Sequence, residues 1–313
     1  MIVTLTLNPS VDESASVQHI QPERKLRCSP PVHEPGGGGL NVARAIHNLG
    51  GNPTAVWLKG GPNGDRLQHL LDDQQIAHLP LPIAGDSRQD LTVFEESTGR
   101  QYRFTMPGPQ VSEEEAGQVV ANITQLQADY LVLSGSLPPG LPDDFYAKIL
   151  RDTPRNTRVI VDTSGDPLLY AMRAGIFLAK PNLNELRHLA GGAVESDSQI
   201  RQAAQAMVRQ GQAEIVAVSL GSAGALYVED ECTDRIYAPT VSIRSKVGAG
   251  DSMVAGLVLK LEQGWPPKQA VRYGVAAGAA AVMRPGTALC RLEDTERLFD
   301  QMKLEKELYL ARR

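Results

Sequence analysis

Short apolar runs alternate with amphipathic segments along almost the whole chain. The runs are rich in β-branched residues, and several are apolar on both faces, as is typical of strands covered by helices on both sides of a sheet. Between them, apolar positions recur three or four residues apart, which predicts helices. The alternation predicts an α/β fold with a mostly parallel sheet and helices on both faces. The predicted strands are residues 2–7, 54–58, 130–133, 159–161, 177–179 and 215–219.

Two helices have particularly clear signals. Ser112 and Glu115 have the spacing of a capping box, which predicts that a helix begins just after Ser112. The apolar positions Val254, Leu257, Val258 and Leu261 trace one face of a second helix.

Two segments lack this alternation. Residues 13–35 are polar and have no helical period, and residues 91–106 form two strand patterns around the glycine-containing turn 97–100, which predicts a hairpin. We interpret residues 13–35 and about 88–106 as a small β-lid on a single domain, residues 1–313. An exposed lid edge favours pairing with a second chain, so we expect a homodimer through the lid.

The composition indicates a soluble protein that binds neither nucleic acid nor a membrane. The formal net charge is −5, so no broadly basic surface is expected. No secretory leader opens the chain, and the least polar stretch, residues 274–283, is too short to span a bilayer. The three cysteines and six histidines have neither disulfide nor metal-ligand spacing. We therefore expect a cytoplasmic protein with free thiols.

The segment VGAGDS at residues 247–252 stands before the second of those helices. If that helix begins here, the N–H groups of Gly248, Ala249, Gly250 and Asp251 converge at the positive end of its dipole, where they could stabilise a transferring phosphoryl group. Asp251 would then accept a proton from an attacking hydroxyl. The alternative is a close-packed helix start in which Asp251 serves only as a cap.

Four consecutive glycines, residues 36–39, precede Asn41 and a helix pattern at residues 42–49. So many glycines cost chain entropy, which makes a bare linker a poor explanation. They let the backbone pass close to a ligand, and Asn41 would offer its amide to hydroxyls. The alternative is a flexible joint before the helix. No G-x-G-x-x-G follows the first strand, which argues against a nicotinamide-linked oxidoreductase.

Together these pieces resemble the ribokinase-like (PfkB) carbohydrate kinases. The glycine-rich opening followed by Asn41 and the later GAGD at residues 248–251 are similar to the two signatures of that family. Further similar segments are TLTLNPSVD at 4–12, SGSLPPG at 134–140, KPNLNE at 180–185 and SLGSAG at 219–224. Three more resemble the branch that phosphorylates fructose 6-phosphate, namely KLRC at 25–28, EPGGGG at 34–39 and QYRF at 101–104.

The resemblance implies a ribokinase-like sheet and an ATP-dependent reaction that requires Mg²⁺. Asp251 would be the catalytic base, with Gly248, Ala249 and Gly250 as the anion hole. The residues implied to hold the sugar are Asp12, Gly38, Gly39, Asn41 and Ser134. The residues implied to contact the nucleotide are Lys180, Asn182, Ser219, Gly221 and Gly224. Asn182 and Glu185 would orient Mg²⁺, directly or through water, and the alternative for this pair is a solvated helix start.

Four cations set the expected substrate class. Lys25 and Arg27 are two residues apart, so on a strand they would point to the same face. Arg88 and Arg103 lie in or beside the predicted hairpin. A neutral sugar needs no such cluster, whereas guanidinium groups bind phosphate in a two-pronged manner. The alternative is that these are the ordinary charges of a solvent-facing lid.

Relatives in that family bind a monovalent cation, often potassium, beside the anion hole. Here Lys246 and the run from Arg284 to Ala288 depart from the common family pattern. Most ligands of such a site are backbone carbonyls, so changed side chains need not abolish it. The positions implied for potassium are Ser245, Val247, Ala281, Arg284, Gly286 and Ala288.

The predicted activity is ATP-dependent phosphorylation of a ketohexose phosphate, with fructose 6-phosphate converted to fructose 1,6-bisphosphate. The sequence leaves open tagatose 6-phosphate or fructose 1-phosphate as the acceptor, because these sugars differ only in one stereocentre or in phosphate placement. A different class of protein, a non-catalytic sugar-phosphate sensor, is the further alternative. A sensor would have no need of a base such as Asp251.

Overall fold

Thirteen strands and ten α-helices form the part of the chain that the computed structural model describes. That part comprises residues 1–192, 194–230, 232–284, 286 and 288–311, with side chains described to residue 303. The strands are β1 (Ile2–Thr6), β2 (Ser10–Val17), β3 (Val32–Gly36), β4 (Thr54–Lys59), β5 (His78–Pro82), β6 (Arg88–Glu95), β7 (Arg100–Phe104), β8 (Tyr130–Ser134), β9 (Arg158–Asp162), β10 (Ile176–Ala179), β11 (Ala213–Ser219), β12 (Ala225–Glu229) and β13 (Cys232–Ile236). The helices are α1 (Gly38–Asn48), α2 (Gly61–Asp73), α3 (Glu113–Gln125), α4 (Phe145–Asp152), α5 (Gly165–Ala174), α6 (Leu183–Ala190), α7 (Asp197–Arg209), α8 (Ala249–Glu262), α9 (Pro267–Val282) and α10 (Leu292–Ala311).

The main sheet has nine strands in the order β13-β12-β11-β10-β9-β8-β1-β4-β5. Pairing is parallel from β11 through to β5, and only β12 and β13 run antiparallel to their neighbours. All six predicted strands lie in the parallel part. In its middle, Leu5 of β1 pairs with Val56 on one side and Leu133 on the other, and all three are buried. The prediction of a mostly parallel sheet is confirmed.

Helices cover both faces of this sheet, as predicted. On one face, α1, α8, α9 and α10 bury residues such as Ile46, Val254 and Phe299 in one apolar core. On the other face, α3 to α7 bury residues such as Tyr146 and Leu186 in a second core. In the helices of the described chain, no stretch is both long and apolar enough to cross a bilayer.

A separate sheet of four strands, in the order β3-β2-β6-β7, lies beside the main one. Strands β6 and β7 pair antiparallel, which confirms the predicted hairpin. Strand β2 joins the two halves of the sheet because it pairs antiparallel with β3 and parallel with β6. Between β2 and β3, residues 18–31 form no strand.

The structure corrects the sequence-based boundaries in three places. Strand β2 begins at Ser10, three residues before the predicted start of the lid, so Asp12 lies within a strand. Helix α1 begins at Gly38, four residues before the predicted start, with Gly37 as its N-cap at φ 108°. Lys25 and Arg27 lie in the irregular segment between β2 and β3, so strand alternation does not put them on one face. In each case the conformation is decided by pairing or packing with residues that are distant in the sequence. A local sequence pattern does not contain this information.

Candidate active site

A cleft of about 230 Å³ opens at the carboxyl ends of the central parallel strands. In open α/β sheets this edge is where ligands bind, because loops from neighbouring strands meet there. The cleft is lined by Gly38, Ser134, Gly135, Ser136, Asp162, Thr163, Ser164, Glu185 and Asp251. Four of the positions predicted from sequence, Gly38, Ser134, Glu185 and Asp251, therefore share one cleft.

Asp251 lies in the first turn of α8 and faces this cleft. The Asn41 amide donates a hydrogen bond from Nδ2 to Asp251 Oδ2 at 3.0 Å, which fixes the orientation of the carboxylate. Loss of solvent around the carboxyl, and next the negative charge of Asp162, raise the pKa of Asp251 to about 7. The carboxyl therefore changes protonation near neutral pH.

The start of α8 is built from small residues. Gly248 is the N-cap at φ 75°, and no side chain caps the helix. This is why the alternative, Asp251 as a mere cap, does not describe the structure. The N–H groups of the first turn have no acceptor within the helix and carry the positive end of its dipole. A Cβ added to Gly250 would lie 3.5 Å from Lys180 Nζ, so an ammonium group stands beside the same turn.

Lys180 and Asp162 form a buried ion pair at the end of β9 and β10. Their Nζ and Oδ1 atoms are 3.0 Å apart, and the side chains are 6% and 13% exposed. Burial alone lowers the pKa of Lys180, but Asp162, Glu185 and Asp251 more than offset this, so the pKa lies above its ordinary value. Asp162 was missed by the sequence analysis. Its only signal was a carboxylate directly after an apolar run.

Asp12 lies on β2, where it meets the glycine run. Ser10 Oγ donates to Asp12 Oδ1 at 2.5 Å, while burial and the nearby Asp90 raise the pKa of Asp12. A Cβ on Gly36 would come within 2.1 Å of that same oxygen, and one on Gly38 within 2.4 Å of Ser134 Oγ. The glycines are therefore close-packed against candidate sugar-binding groups, and the alternative of a flexible joint is wrong.

Arg44 holds this region together and was also missed from the sequence. It is buried on α1, and its Nη1 donates to the backbone oxygen of Pro35 at 2.8 Å and to Asn41 Oδ1 at 3.3 Å. Its Nη2 pairs with Glu34 Oε1 at 2.9 Å. Because Asn41 in turn contacts Asp251, Arg44 positions the amide that orients the candidate base. A charge in the middle of a helix, spaced three residues after Asn41, was the available signal.

Asn182 and Glu185 form a capping box at the start of α6. Asn182 Oδ1 accepts from the backbone N–H groups of Asn184 and Glu185, and Glu185 Oε2 accepts from the N–H of Asn182 at 2.8 Å. A further bond joins Asn182 Nδ2 to Glu185 Oε1 at 2.7 Å. The alternative of a helix start is therefore correct for Asn182, whose side chain caps α6. Glu185 nonetheless lines the cleft, and burial raises the pKa of its carboxyl.

The loop after β11 lies next to Asn182. Ser219 forms an isolated parallel bridge with Asn182, and its backbone N–H donates to Pro181 O at 2.8 Å. Gly221 is exposed in a single 3₁₀ turn. Gly224 is buried at φ 89°, and a Cβ there would come within 2.0 Å of the backbone oxygen of Ile236. Close packing against β13 therefore accounts for Gly224 without a ligand.

The four candidate cations divide into two groups. Arg88 pairs with Asp90 at 2.9 Å and also donates to the backbone oxygens of Asn8 and Met106. Arg103 is exposed on β7. The positive charges of Arg88 and Arg103 both act to lower the pKa of Asp12, although burial raises it by more. These two residues therefore stand near the candidate sugar site. Lys25 and Arg27 are exposed, and no ion pair within the described chain fixes either one.

The two segments implied for potassium are adjacent. The backbone N–H groups of Arg244 and Ser245 donate to Val282 O at 2.8 and 3.2 Å, and the Arg284 N–H donates to Ala281 O at 2.9 Å. Residues 285 and 287 of the same loop lie outside the described residues. Of the implied positions, Ser245, Val247, Ala281, Arg284, Gly286 and Ala288 are all described. Arg284 Nε is buried there without a hydrogen-bond partner.

Sequence comparison connects this geometry to known enzymes. A model described as the pfkB family of carbohydrate kinases matches residues 5–295. The ATP-dependent 6-phosphofructokinase isozyme 2 of Escherichia coli is 43% identical over 301 residues, which is 95% of this chain and 97% of the relative. The enzyme of the same name from Mycobacterium tuberculosis is 41% identical over 302 residues, 96% of this chain and 89% of the relative.

Solved structures of enzymes from the same family are also similar to this chain. Phosphofructokinase-2 from E. coli in complex with potassium has a TM-score of 0.94 at 42% identity and covers 96% of this chain and 99% of its own. It has also been solved with fructose 6-phosphate and in a tetrameric inhibited form, each with a TM-score of 0.92. A Thermotoga maritima ribokinase, 20% identical with a TM-score of 0.77 over 96% and 99% of the two chains, shares the fold. The chain therefore has the ribokinase-like fold and belongs to the pfkB family of carbohydrate kinases.

Proposed function

We infer that this chain is an ATP-dependent 6-phosphofructokinase, which transfers the γ-phosphoryl group of ATP to the 1-hydroxyl of fructose 6-phosphate. The observation that carries this inference is Asp251, a desolvated carboxyl with a pKa of about 7 at the N-terminus of α8, facing a cleft. The names of the two 6-phosphofructokinase relatives support the choice of acceptor.

The proposed reaction is a single in-line displacement. Asp251 accepts the proton of the sugar 1-hydroxyl as its oxygen bonds to the γ-phosphorus, and the bond from phosphorus to the oxygen bridging to ADP breaks. The N–H groups of Gly248, Ala249 and Gly250 donate to the oxygens of the transferring group. Asn41 keeps the carboxylate of Asp251 directed at the hydroxyl.

We assign the sugar to the region between the two sheets. Asp12, Gly38, Gly39, Asn41 and Ser134 would hold its hydroxyls. In support, a Cβ on Gly38 would lie 2.4 Å from Ser134 Oγ, and the Asn41 amide bonds to Asp251. The 6-phosphate would bind the cations Arg88, Arg103, Lys25 and Arg27. Support is strongest for Arg88 and Arg103, whose charges act on Asp12.

We assign the nucleotide to the loops after β10 and β11, with Lys180, Asn182, Ser219 and Gly221 as its contacts, while Gly224 shapes the second loop by packing against β13. Within the described chain no three metal-binding side chains converge. This fits Mg²⁺, which usually keeps several waters and binds one or two carboxylates plus substrate phosphates. Glu185 and Asn182 would hold it, and it would neutralise phosphate charge during transfer.

A potassium ion would bind between the segments that contain Ser245 and Ala281. Relatives supply the support, because the E. coli enzyme was solved with potassium. Backbone oxygens such as Ala281 O and Val282 O lie at this junction, where they accept hydrogen bonds from the N–H groups of Arg284, Arg244 and Ser245. Potassium would compensate partial negative charge behind the anion hole.

We further propose that the four-stranded sheet is a lid of a single domain, residues 1–313, and that two chains pair through it. The supporting observation is a set of exposed apolar residues on or next to this sheet, Val32, Phe94, Phe104 and Met106. Strands β3 and β7 are its open edges, and open edges favour pairing. The three free thiols, Cys28, Cys232 and Cys290, support a reducing, cytoplasmic location.

The acceptor is tested by ADP release with ATP and Mg²⁺, compared as kcat/KM for fructose 6-phosphate, tagatose 6-phosphate, fructose 1-phosphate, fructose and ribose. We expect a clear preference for fructose 6-phosphate. Preference for either other phosphorylated ketohexose would keep the mechanism and change the acceptor. Turnover of unphosphorylated sugars alone would contradict the cationic site, and no turnover would favour the sensor.

A further inference from the structure

A second and larger cleft, of about 720 Å³, lies at the opposite edge of the main sheet. It is bordered by the starts of β9, β10 and β11, the end of α4 and the turn 153–157. Arg158 begins β9 and Asp162 ends it, so about 13 Å of strand separates this cleft from the candidate active site, at roughly 3.3 Å per residue. The proposed reaction uses none of its residues.

Positive charge dominates this cleft. Arg151, Arg155 and Arg158 line it, and Glu214 is the one acidic side chain in its lining. None of the three guanidinium groups forms an ion pair with a residue that the structure describes. Unpaired arginines on a convex surface are ordinary, but like charges around one concavity repel each other and leave many N–H donors directed at shared space.

Arg158 is held rigidly. Its guanidinium carbon lies 5.1 Å from the ring centroid of Phe177 and 5.8 Å from that of Tyr130, and its Nη1 donates to Tyr130 Oη at 2.8 Å. One of its five N–H donors is used in this way, and the rings fix the plane of the others. A fixed guanidinium loses little entropy when it binds an anion, which is the property that phosphate sites exploit.

We propose that this cleft binds a small anion that carries two or more phosphate groups. Its volume lies within the range of small-molecule sites and accommodates a nucleotide or a sugar bisphosphate. Three arginines against one glutamate match a ligand with several negative charges, because each guanidinium can bind two oxygens of a phosphate. All three arginines are exposed; Arg158 supplies the contact whose orientation the rings and Tyr130 Oη fix, and Arg151 and Arg155 supply the others.

The test is equilibrium dialysis of the full chain against labelled ADP, fructose 1,6-bisphosphate and inorganic pyrophosphate. The proteins compared are the wild type, Arg158→Gln, Arg155→Gln and the control Arg173→Gln. Arg173 is also a guanidinium stacked on an aromatic ring, that of Tyr170, but it does not line the cleft. The active site binds phosphates in all four proteins. A difference in binding between these proteins therefore reports on the cleft alone.

For at least one probe, we expect Arg158→Gln and Arg155→Gln to lose one bound equivalent, or to bind it at least about tenfold more weakly, with Arg173→Gln unchanged. ADP alone would indicate a nucleotide, the bisphosphate alone a sugar ligand, and all three probes a general oligophosphate site. Equal binding of every probe by all four proteins would overturn the proposal. If Arg158→Gln does not fold, Arg155→Gln in the exposed turn gives the same comparison.

Discussion

At the scale of single residues, the environment of Asp251 suits a base that works near neutral pH. Its carboxyl has lost much of its solvent and lies near the negative charge of Asp162, and both raise its pKa. Asn41 and Lys180 act in the opposite direction because they stabilise the ionised form. The balance leaves a group basic enough to take a hydroxyl proton and yet partly ionised near neutral pH.

Asp251→Asn removes the proton acceptor and preserves the shape of the site. We expect kcat to fall on the order of 100-fold or more, the usual scale for a positioned base, while fructose 6-phosphate and ATP still bind. Steady-state kinetics together with calorimetric titration of each substrate measure the two effects separately. Turnover near the wild-type rate would remove Asp251 from the mechanism.

The pH dependence of kcat/KM tests the same group in the free enzyme. Asp251 acts as a base only when ionised, so kcat/KM should fall as the pH falls through about 7. Asp162→Asn removes a negative charge and releases Lys180 from its ion pair, and both changes lower the pKa of Asp251. The acid limb of the profile should therefore move to lower pH, whatever the effect on the maximum rate. An unmoved or raised limb would show that another group titrates.

A further prediction at the scale of single residues concerns Arg103. Arg103→Ala should raise the KM for fructose 6-phosphate by about tenfold or more and leave the KM for ATP nearly unchanged, because a charge-assisted bond to phosphate is lost. Arg100→Ala is the matched control, since Arg100 is also exposed on β7 but three residues away and so on the other face. Equal changes in both KM values, or equal effects of the two variants, would contradict the phosphate site.

At the scale of elements, the sequence was most informative where the pattern was local. The buried parallel strands and the capping box of α3 were predicted correctly, because their residues decide their own conformation. Strand β2 has the mixed sequence SVDESASV and is defined by its partners β3 and β6. Helix α1 starts with two glycines, which are poor helix formers, because only glycine fits against β1 and Ser134.

Gly36→Ala tests that close packing. The new Cβ would come within 2.1 Å of Asp12 Oδ1, so the carboxylate must move away from its position beside the sugar. We expect the KM for fructose 6-phosphate to rise by about tenfold with little change in the KM for ATP. Gly117→Ala is the control, because Gly117 is exposed within α3 and a Cβ there meets nothing within 4 Å.

The control variant Gly117→Ala should itself change the stability of the protein. Alanine forms helix better than glycine, so Gly117→Ala should raise the free energy of unfolding by about 0.5–1 kcal/mol without changing the kinetics. Denaturant titration measures this gain. If Gly36→Ala left both KM values unchanged, Asp12 would not be a sugar ligand held by this packing.

At the scale of the whole molecule, the candidate site is shared between two sheets. Asp12 and Arg88 lie in the small sheet. Asp162 is the last residue of β9 in the main sheet, and Asp251 lies in the first turn of α8. Motifs in the sequence found Asp12 and Asp251 because each stands in a distinctive run, and Arg88 was named as a cation beside the predicted hairpin. Asp162 and Arg44 were missed because their importance comes only from their neighbours in space, Lys180 in one case and Asn41 in the other.

Pairing of two chains through the small sheet is testable by charge. Phe94 and Val32 are 44% and 58% exposed on β6 and β3. A carboxylate there would have to lose solvent if the face is covered by a second copy. We therefore expect Phe94→Glu to sediment as a monomer at micromolar concentration where the wild type is dimeric, with Tyr170→Glu on α5 still dimeric as the control. A dimeric Phe94→Glu would exclude this face, and the exposed lid residues would then need another explanation.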